Sequence, residues 1–130
     1  MPEVLHAGDV LAMCSDTDPH PLAVTEAMAA ENAIVASDRV GCVGPTDAAR
    51  PGWNTLVYPC GNVAELAGCL TCLAGDQALR KRFSQASVEL CWTQDTQVTI
   101  AAVRRAIVSF GLSECGDPIP VAATRHTTPG

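Results

Sequence analysis

"VLAMCSDTDPHPLAVTEAMAAENAIVAS", residues 10–37, is the stretch whose reading decides the fold. Its first five residues, Val10–Cys14, are apolar without a break, which reads as a short strand buried on both faces. An acidic loop broken by Pro19 and Pro21 follows. Pro21–Glu31 is predicted to be helical, with Pro21 suited to the first helical position because no N–H is missed there. Ala33–Ser37 reads as a second buried strand. Strand, loop, helix, strand is the order of a parallel βαβ unit.

Working outward, "GCVGPTDAARPGWN" (41–54) holds two glycines and then a short helical piece, ended by Pro51-Gly52. Thr55–Cys60 reads as a third strand. Asn62 then caps a helix whose third residue is Glu65, an Asn form of the capping box. The apolar stripe of that helix is Leu66, Cys69, Leu70 and Leu73. Gly75 stops it, and Asp76 caps the next helix, carried by Leu79, Phe83, Ala86 and Leu90. A last helix is expected from about Thr93 to Phe110, with Ile100, Val103, Ile107 and Phe110 on one face and Gly111 as its stop. The expected fold class is α/β: a partial Rossmann-like domain with a parallel sheet of about three strands, flanking helices and a helical C-terminal part. Residues 1–111 form the expected domain, and 112–130, which lack periodicity, an expected disordered tail.

A chain of 130 residues supports one hydrophobic core. With 48% hydrophobic and 17% charged residues it has the composition of a folded domain. The formal net charge of −6 disfavours nucleic acid and anionic membranes as partners. No apolar run reaches spanning length, and the first ten residues lack the pattern of a signal peptide, so a cytoplasmic location is expected.

Seven cysteines, an odd number, fit buried free thiols better than a disulfide framework. Cys69 and Cys72 invite a redox or zinc reading. A redox pair of this spacing would open a helix after a strand, whereas this one falls in mid-helix. A zinc site would need two further ligands, while His6, His20 and His126 are scattered. No metal is expected.

Two carboxylates stand out. Asp18 lies in the loop leaving the first strand and Glu26 lies on the following helix, which puts both near the carboxyl edge of the sheet, where open α/β folds bind ligands. First-turn amides and the positive end of the helix dipole point into the same space. A diphosphate suits those amides, Glu26 suits ribose hydroxyls, and Asp18 suits the hydroxyls of a sugar. On spacing alone, helix capping by Asp18 and plain solvation of Glu26 are the better account of the pair.

Asp18-Pro-His-Pro-Leu-Ala-Val-Thr-Glu26-Ala-Met-Ala-Ala resembles the acidic-x7-Glu signature of retaining glycosyltransferases with the GT-B fold, the glycosyl transferases group 1 family. The preceding "GDVLAMCS" and the following "AIVASDRVGCVG" are similar to that family's flanking strands and glycine loop. "PGWNTLVYPCGNVAELAGCLTCLAGDQALRKRF" resembles its Gly-x-Asn-Gly strand and terminal helices, so the likeness covers roughly residues 6 to 110 in order. The resemblance implies transfer of a sugar, hexosyltransferase-like, from a nucleotide-sugar donor with retention of configuration. The donor is a substrate, and no cofactor or metal is implied. Position by position, it places Glu26 on the donor ribose, Asp18 by the sugar, and the Leu22 and Ala23 amides on phosphate or sugar oxygens, with His20 beside them. The catalytic effect would be electrostatic support of the leaving diphosphate and of the oxocarbenium-like sugar.

The sequence departs from the family pattern at several places. Asp18 replaces Glu, His20 stands where Phe is common, Pro21 and Thr55 where Gly is common, and Cys14 where Pro is typical. Glu31 holds the place of the usual Gly after the helix. Residues 1–38 contain no Lys or Arg, so the phosphate cations of the family have no counterpart before Arg39. A GT-B enzyme needs two Rossmann-like domains, more than one chain of this length holds. Truncation at the N-terminus is therefore expected, with the acceptor domain and the start of the donor domain supplied by a missing segment or partner chain, and the lone chain inactive. The alternative expectation is a non-catalytic binding or interaction module derived from such a half-domain.

Overall fold

The computed structural model describes residues 2–93 and 96–109. The chain falls into two units, Met1–Asp95 and Thr96–Gly130. The first opens with helix α1 (Pro2–Ala7), a turn the sequence reading did not anticipate, with Glu3 in its first turn and His6 in its last to suit the helix dipole. Strand β1 (Val10–Met13) follows, then helix α2 (Leu22–Ala29), strand β2 (Ala33–Ser37) and strand β3 (Thr55–Tyr58). Helices α3 (Val63–Gly75) and α4 (Gln77–Thr93) complete the unit.

The three strands pair in parallel in the order β1-β2-β3. This is the three-stranded, Rossmann-like α/β arrangement expected. All five residues of β2 are buried, as a central strand covered on both faces requires. Ile34 and Ala36 face one side, against Val24, Ala27 and Met28 of α2 and Leu90 of α4. Ala33 and Val35 face the other, against Tyr58, Leu73 and Phe83. Burying side chains the size of Met28, Ile34 or Phe83 contributes roughly 1.5–3 kcal/mol each. Helix α4 serves both sides, since Phe83 and Leu90 belong to different clusters.

Several boundaries differ from expectation for local reasons. Pro21 is the residue preceding α2 rather than its first member, with φ −69° and an extended ψ of 113°. β1 stops at Met13, because beyond Met13↔Ala36 the chain turns out of the ladder and Ser37 Oγ donates to the Ser15 carbonyl instead. β3 stops at Tyr58, since Pro59 has no N–H to donate. The helical piece expected within 41–54 is absent. Its backbone groups are used across the loop, Gly44 N–H to the Ala49 carbonyl at 3.0 Å and Ala49 N–H to the Cys42 carbonyl at 2.9 Å.

Helix α2 ends at Ala29, two residues earlier than Glu31. The Glu31 N–H donates to the Met28 carbonyl (3.2 Å) and the Asn32 N–H to the Ala27 carbonyl (2.9 Å), the paired bonds of a Schellman ending. Glu31 itself sits in the left-handed region at φ +62°.

The caps of α3 and α4 follow the sequence reading. Asn62 Oδ1 accepts from the Glu65 N–H at 3.1 Å, and Asp76 Oδ1 from the Leu79 N–H at 2.8 Å. The stripe of α3 is only partly used: Leu73 is buried, Leu66 and Cys69 half-buried, and Leu70 38% exposed. The expected last helix divides. Thr93 closes α4, its hydroxyl donating to the Leu90 carbonyl at 2.8 Å, and helix α5 (Thr96–Ser109) belongs to the second unit. Phe110, Gly111 and the expected tail at 112–130 lie outside the described residues.

All six described cysteines are free thiols, but only Cys42 is fully buried. Cys14 and Cys72 are exposed, and Cys60, Cys69 and Cys91 are half-buried. The expectation of thiols acting as core filling therefore holds at one position. Cys69 and Cys72 lie in mid-helix on α3, as expected.

Candidate functional site

The loop from Cys14 to Pro21 leaves β1 at the carboxyl edge of the sheet. Pro19 and Pro21 keep it from winding into helix, and Asp18 Oδ1 accepts the His20 N–H at 3.2 Å, a local Asx-type turn. The Asp18 main chain is also held from outside. It bridges Val40, and its carbonyl takes the Gly41 N–H at 2.8 Å. A side chain at Gly41 would run into the Pro19 carbonyl and lie 2.9 Å from the Pro19 Cα. The glycine is required for this approach of two backbones.

Capping by Asp18, the plain structural account of this residue, is not what the fold uses. Pro21 occupies the cap position of α2, and no side chain accepts from the first turn. Val24 N–H reaches the Pro21 carbonyl at 3.1 Å, whereas the Leu22 and Ala23 amides have no acceptor among the described residues. These two donors lie at the positive end of the helix dipole.

The predicted site residues take these places. Asp18 is half-buried in the loop, His20 is exposed beside it, Leu22 is exposed and Ala23 half-buried at the start of α2. Glu26 is exposed, one turn after Leu22 on the same helix face, while Val24, Ala27 and Met28 turn to the core. Asp18, His20 and the two amides thus share one loop-to-helix corner, with Glu26 a turn further back. Among the described residues no basic side chain pairs with Asp18 or Glu26, the ion pair present being Arg80–Asp9 at 3.8 Å.

Residues from the other two strands reach the same edge, and the sequence reading missed them. Ser37 is buried at the end of β2 and its hydroxyl donates to the Ser15 carbonyl at 2.6 Å. Asp38 Oδ1 accepts the Cys60 N–H at 2.8 Å, and Cys60 Sγ donates to Asp16 Oδ1 at 3.3 Å. Those bonds tie the loop after β1 to the ends of β2 and β3. The hydrogen bond to Asp16 is the largest cause that pushes the Cys60 thiol up, so it serves as a neutral donor rather than a nucleophile. Tyr58 is pushed up to about 12, first by its hydrogen bond with Cys14 and then by burial. Arg39 is exposed just past β2 and close enough to favour the Cys60 thiolate, which places a cation on the carboxyl edge. The signal that could have found them is general: in a parallel sheet, residues following every strand converge on one edge.

Residues 1–89 match the family of Glycosyl transferases group 1. The chain belongs to this family. Among solved structures, this glycosyltransferase-family chain is similar to Anabaena HepE in complex with UDP, with a TM-score of 0.70, 21% identity, and coverage of 85% of this chain and 30% of that one. The C-terminal domain of the glycosyl transferase group 1 protein LpcC from Francisella tularensis matches with a TM-score of 0.63 and 24% identity, over 72% of this chain and 46% of that one. Sucrose-phosphate synthase from Thermosynechococcus elongatus matches with a TM-score of 0.66 and 19% identity, over 82% and 27%. The family chain described here spans less than half the length of each of these proteins. Curated proteins return no match in sequence. Among the described residues of this family member, no helix is long and apolar enough to cross a membrane.

Proposed function

We propose that this chain is the donor-binding part of a retaining glycosyltransferase, taking a uridine-diphosphate sugar at the corner formed by Asp18, His20, Leu22, Ala23 and Glu26. The observation that carries the reading is the pair of acceptor-free amides at Leu22 and Ala23, with Asp18 beside them and Glu26 one turn behind on the same face. Two oxygen-seeking donors at a helix start suit a diphosphate. A carboxylate one turn back suits ribose hydroxyls, and a shorter one at the mouth suits the sugar. HepE has been solved with UDP and with UDP-glucose, which supports uridine diphosphate as the nucleotide to try first.

In the proposed reaction the bond between the anomeric carbon and the diphosphate oxygen breaks, the acceptor hydroxyl oxygen bonds to the anomeric carbon on the same face of the ring, and its proton passes to the departing diphosphate oxygen. The amides and the dipole of α2 stabilise the charge gathering on the leaving diphosphate. Asp18 faces the positive charge gathering on the sugar. Two amides and Arg39 neutralise a diphosphate incompletely, so the reading includes further cations and the acceptor site on a segment or chain beyond these 130 residues. Coverage of 27–46% of the similar solved structures supports that part of the proposal. A donor domain over residues 1–111, with a separate tail at 112–130, belongs to the same reading. So does the cytoplasmic location, which rests on an odd set of seven cysteines suited to a reducing compartment.

The test is a calorimetric titration of the chain with UDP-glucose, GDP-mannose and ADP-glucose, repeated on Glu26→Ala. Saturable binding of the uridine donor, reduced at least tenfold by the substitution, is the expected result. A folded chain that binds none of the three donors overturns the donor-site reading and leaves a non-catalytic module.

A further inference from the structure

At the opposite, amino edge of the sheet lies a hollow of about 340 Å³ that no part of the donor reading uses. One wall is the turn that leads into β3, with Gly52 and Trp53. The other is one face of α4, with Arg82, Gln85, Ala86 and Glu89. The volume falls at the small end of ligand clefts, which run from roughly 300 to 1,000 Å³.

The turn is rigidly built. Gly52 takes φ +74°, and its N–H donates to the Thr55 carbonyl at 2.9 Å. The Trp53 N–H donates to the Arg50 carbonyl at 3.0 Å. Asn54, fully buried, ties the turn to α4. Its Oδ1 accepts the Arg50 N–H at 2.8 Å, and its Nδ2 donates to the Ala48 carbonyl at 3.0 Å and to the Ser87 hydroxyl at 3.4 Å. An indole that is 56% exposed is therefore held on a fixed backbone. Such a ring presents a flat apolar face at the rim of the hollow.

The lining also states the ligand's chemistry. Arg82 and Glu89 cancel in charge, so neither an anion nor a cation is selected. They stand seven residues apart on α4, about 10 Å along the axis, and make no ion pair with each other among the described residues. Arg82 lies over the Phe83 ring at 5.5 Å, which limits where its guanidinium can reach. The hollow thus offers one aromatic wall and one wall with a donor at one end, an acceptor at the other and an amide between. A pyranose has that same division, with apolar C–H groups on a face and hydroxyls round the rim.

We propose that this hollow is a second saccharide-binding site, separate from the donor corner, in which a sugar ring stacks on Trp53 and its hydroxyls bridge Arg82, Gln85 and Glu89. The inference does not depend on the donor site being functional. The test uses the full chain with Trp92→Phe, which leaves Trp53 as the sole tryptophan, and follows its fluorescence during titration with methyl-α-glucoside, maltose and cellobiose. At least one probe is expected to give a saturable change. Glu89→Gln should weaken it by roughly tenfold or more, Trp53→Tyr should retain binding by a parallel calorimetric titration, and Glu26→Ala should leave the affinity unchanged. No saturable change with any probe in a chain folded by circular dichroism overturns the proposal, as does heat of binding that survives Trp53→Ala.

Discussion

Gly41 and Asp18 lock the mouth of the candidate site together: the Gly41 N–H donates to the Asp18 carbonyl at 2.8 Å, and the room a side chain would need at residue 41 is filled by the Pro19 backbone. The position of the Asp18 carboxylate is thus set by a residue twenty-three places further along the chain. Gly41→Ala should push the two loops apart, destabilising the chain by about 1–3 kcal/mol and reducing nucleotide-sugar binding more than stability alone explains. Gly68→Ala provides the contrast. That glycine lies within α3 with open space around it, and the substitution should stabilise by about 0.5–1 kcal/mol. Thermal unfolding and the donor titration, run on both variants, check the pair.

Glu31 offers a gain in stability. It occupies the left-handed residue of the α2 ending at φ +62°, where a side chain costs roughly 1–2 kcal/mol relative to glycine. Its side chain is exposed and makes no hydrogen bond or ion pair among the described residues. Glu31→Gly should raise stability by about 1 kcal/mol with donor binding unchanged. Equal or lower stability in urea unfolding would show that the Schellman ending does not hold.

Tyr58 is the single tyrosine of the chain, so its ionisation can be followed directly by phenolate absorbance. Its pKa is pushed from the ordinary 10 up to about 12, chiefly by the hydrogen bond with Cys14 and then by burial. The fold favours the neutral phenol. Stability from this group is fully present below pH 10 and is lost as the pH rises from 10 through about 12. Cys14→Ala should lower the midpoint. A folded chain titrating at the ordinary value would disprove the Tyr58–Cys14 contact.

Asn54 holds the turn beneath Trp53 by bonds to Arg50, Ala48, Thr55 and Ser87. Asn54→Ala strands a buried Arg50–Ala48 backbone and the Ser87 hydroxyl, and should cost about 3 kcal/mol or more. Its unfolding midpoint, compared with that of Ser87→Ala, which removes a single long bond, gives the size of the difference. Ser87→Ala should cost about 1 kcal/mol.

What the sequence by itself determined is what neighbours within a turn or two decide. The run Ala33–Ser37 reads as a buried strand and is one. Val10–Met13 reads the same way and is a strand, but at the sheet edge it is only half-buried, with Ala12 exposed, because neighbours in space rather than in sequence decide how much of a strand is covered. Asn62 and Asp76 cap their helices through residues three places ahead. The eight-residue spacing of Asp18 and Glu26 puts one carboxylate in the loop after β1 and the other on α2, a turn behind its start. Tertiary structure alone decided the rest. Residues 41–54 became turns because their backbone groups found partners across the loop. Cys60 reaches Asp16 over 44 residues and Asn54 reaches Ser87 over 33. Those pairs exist because parallel strand pairing carries every strand end to a common edge and lays α4 along the sheet, and no local pattern encodes which distant residues then meet.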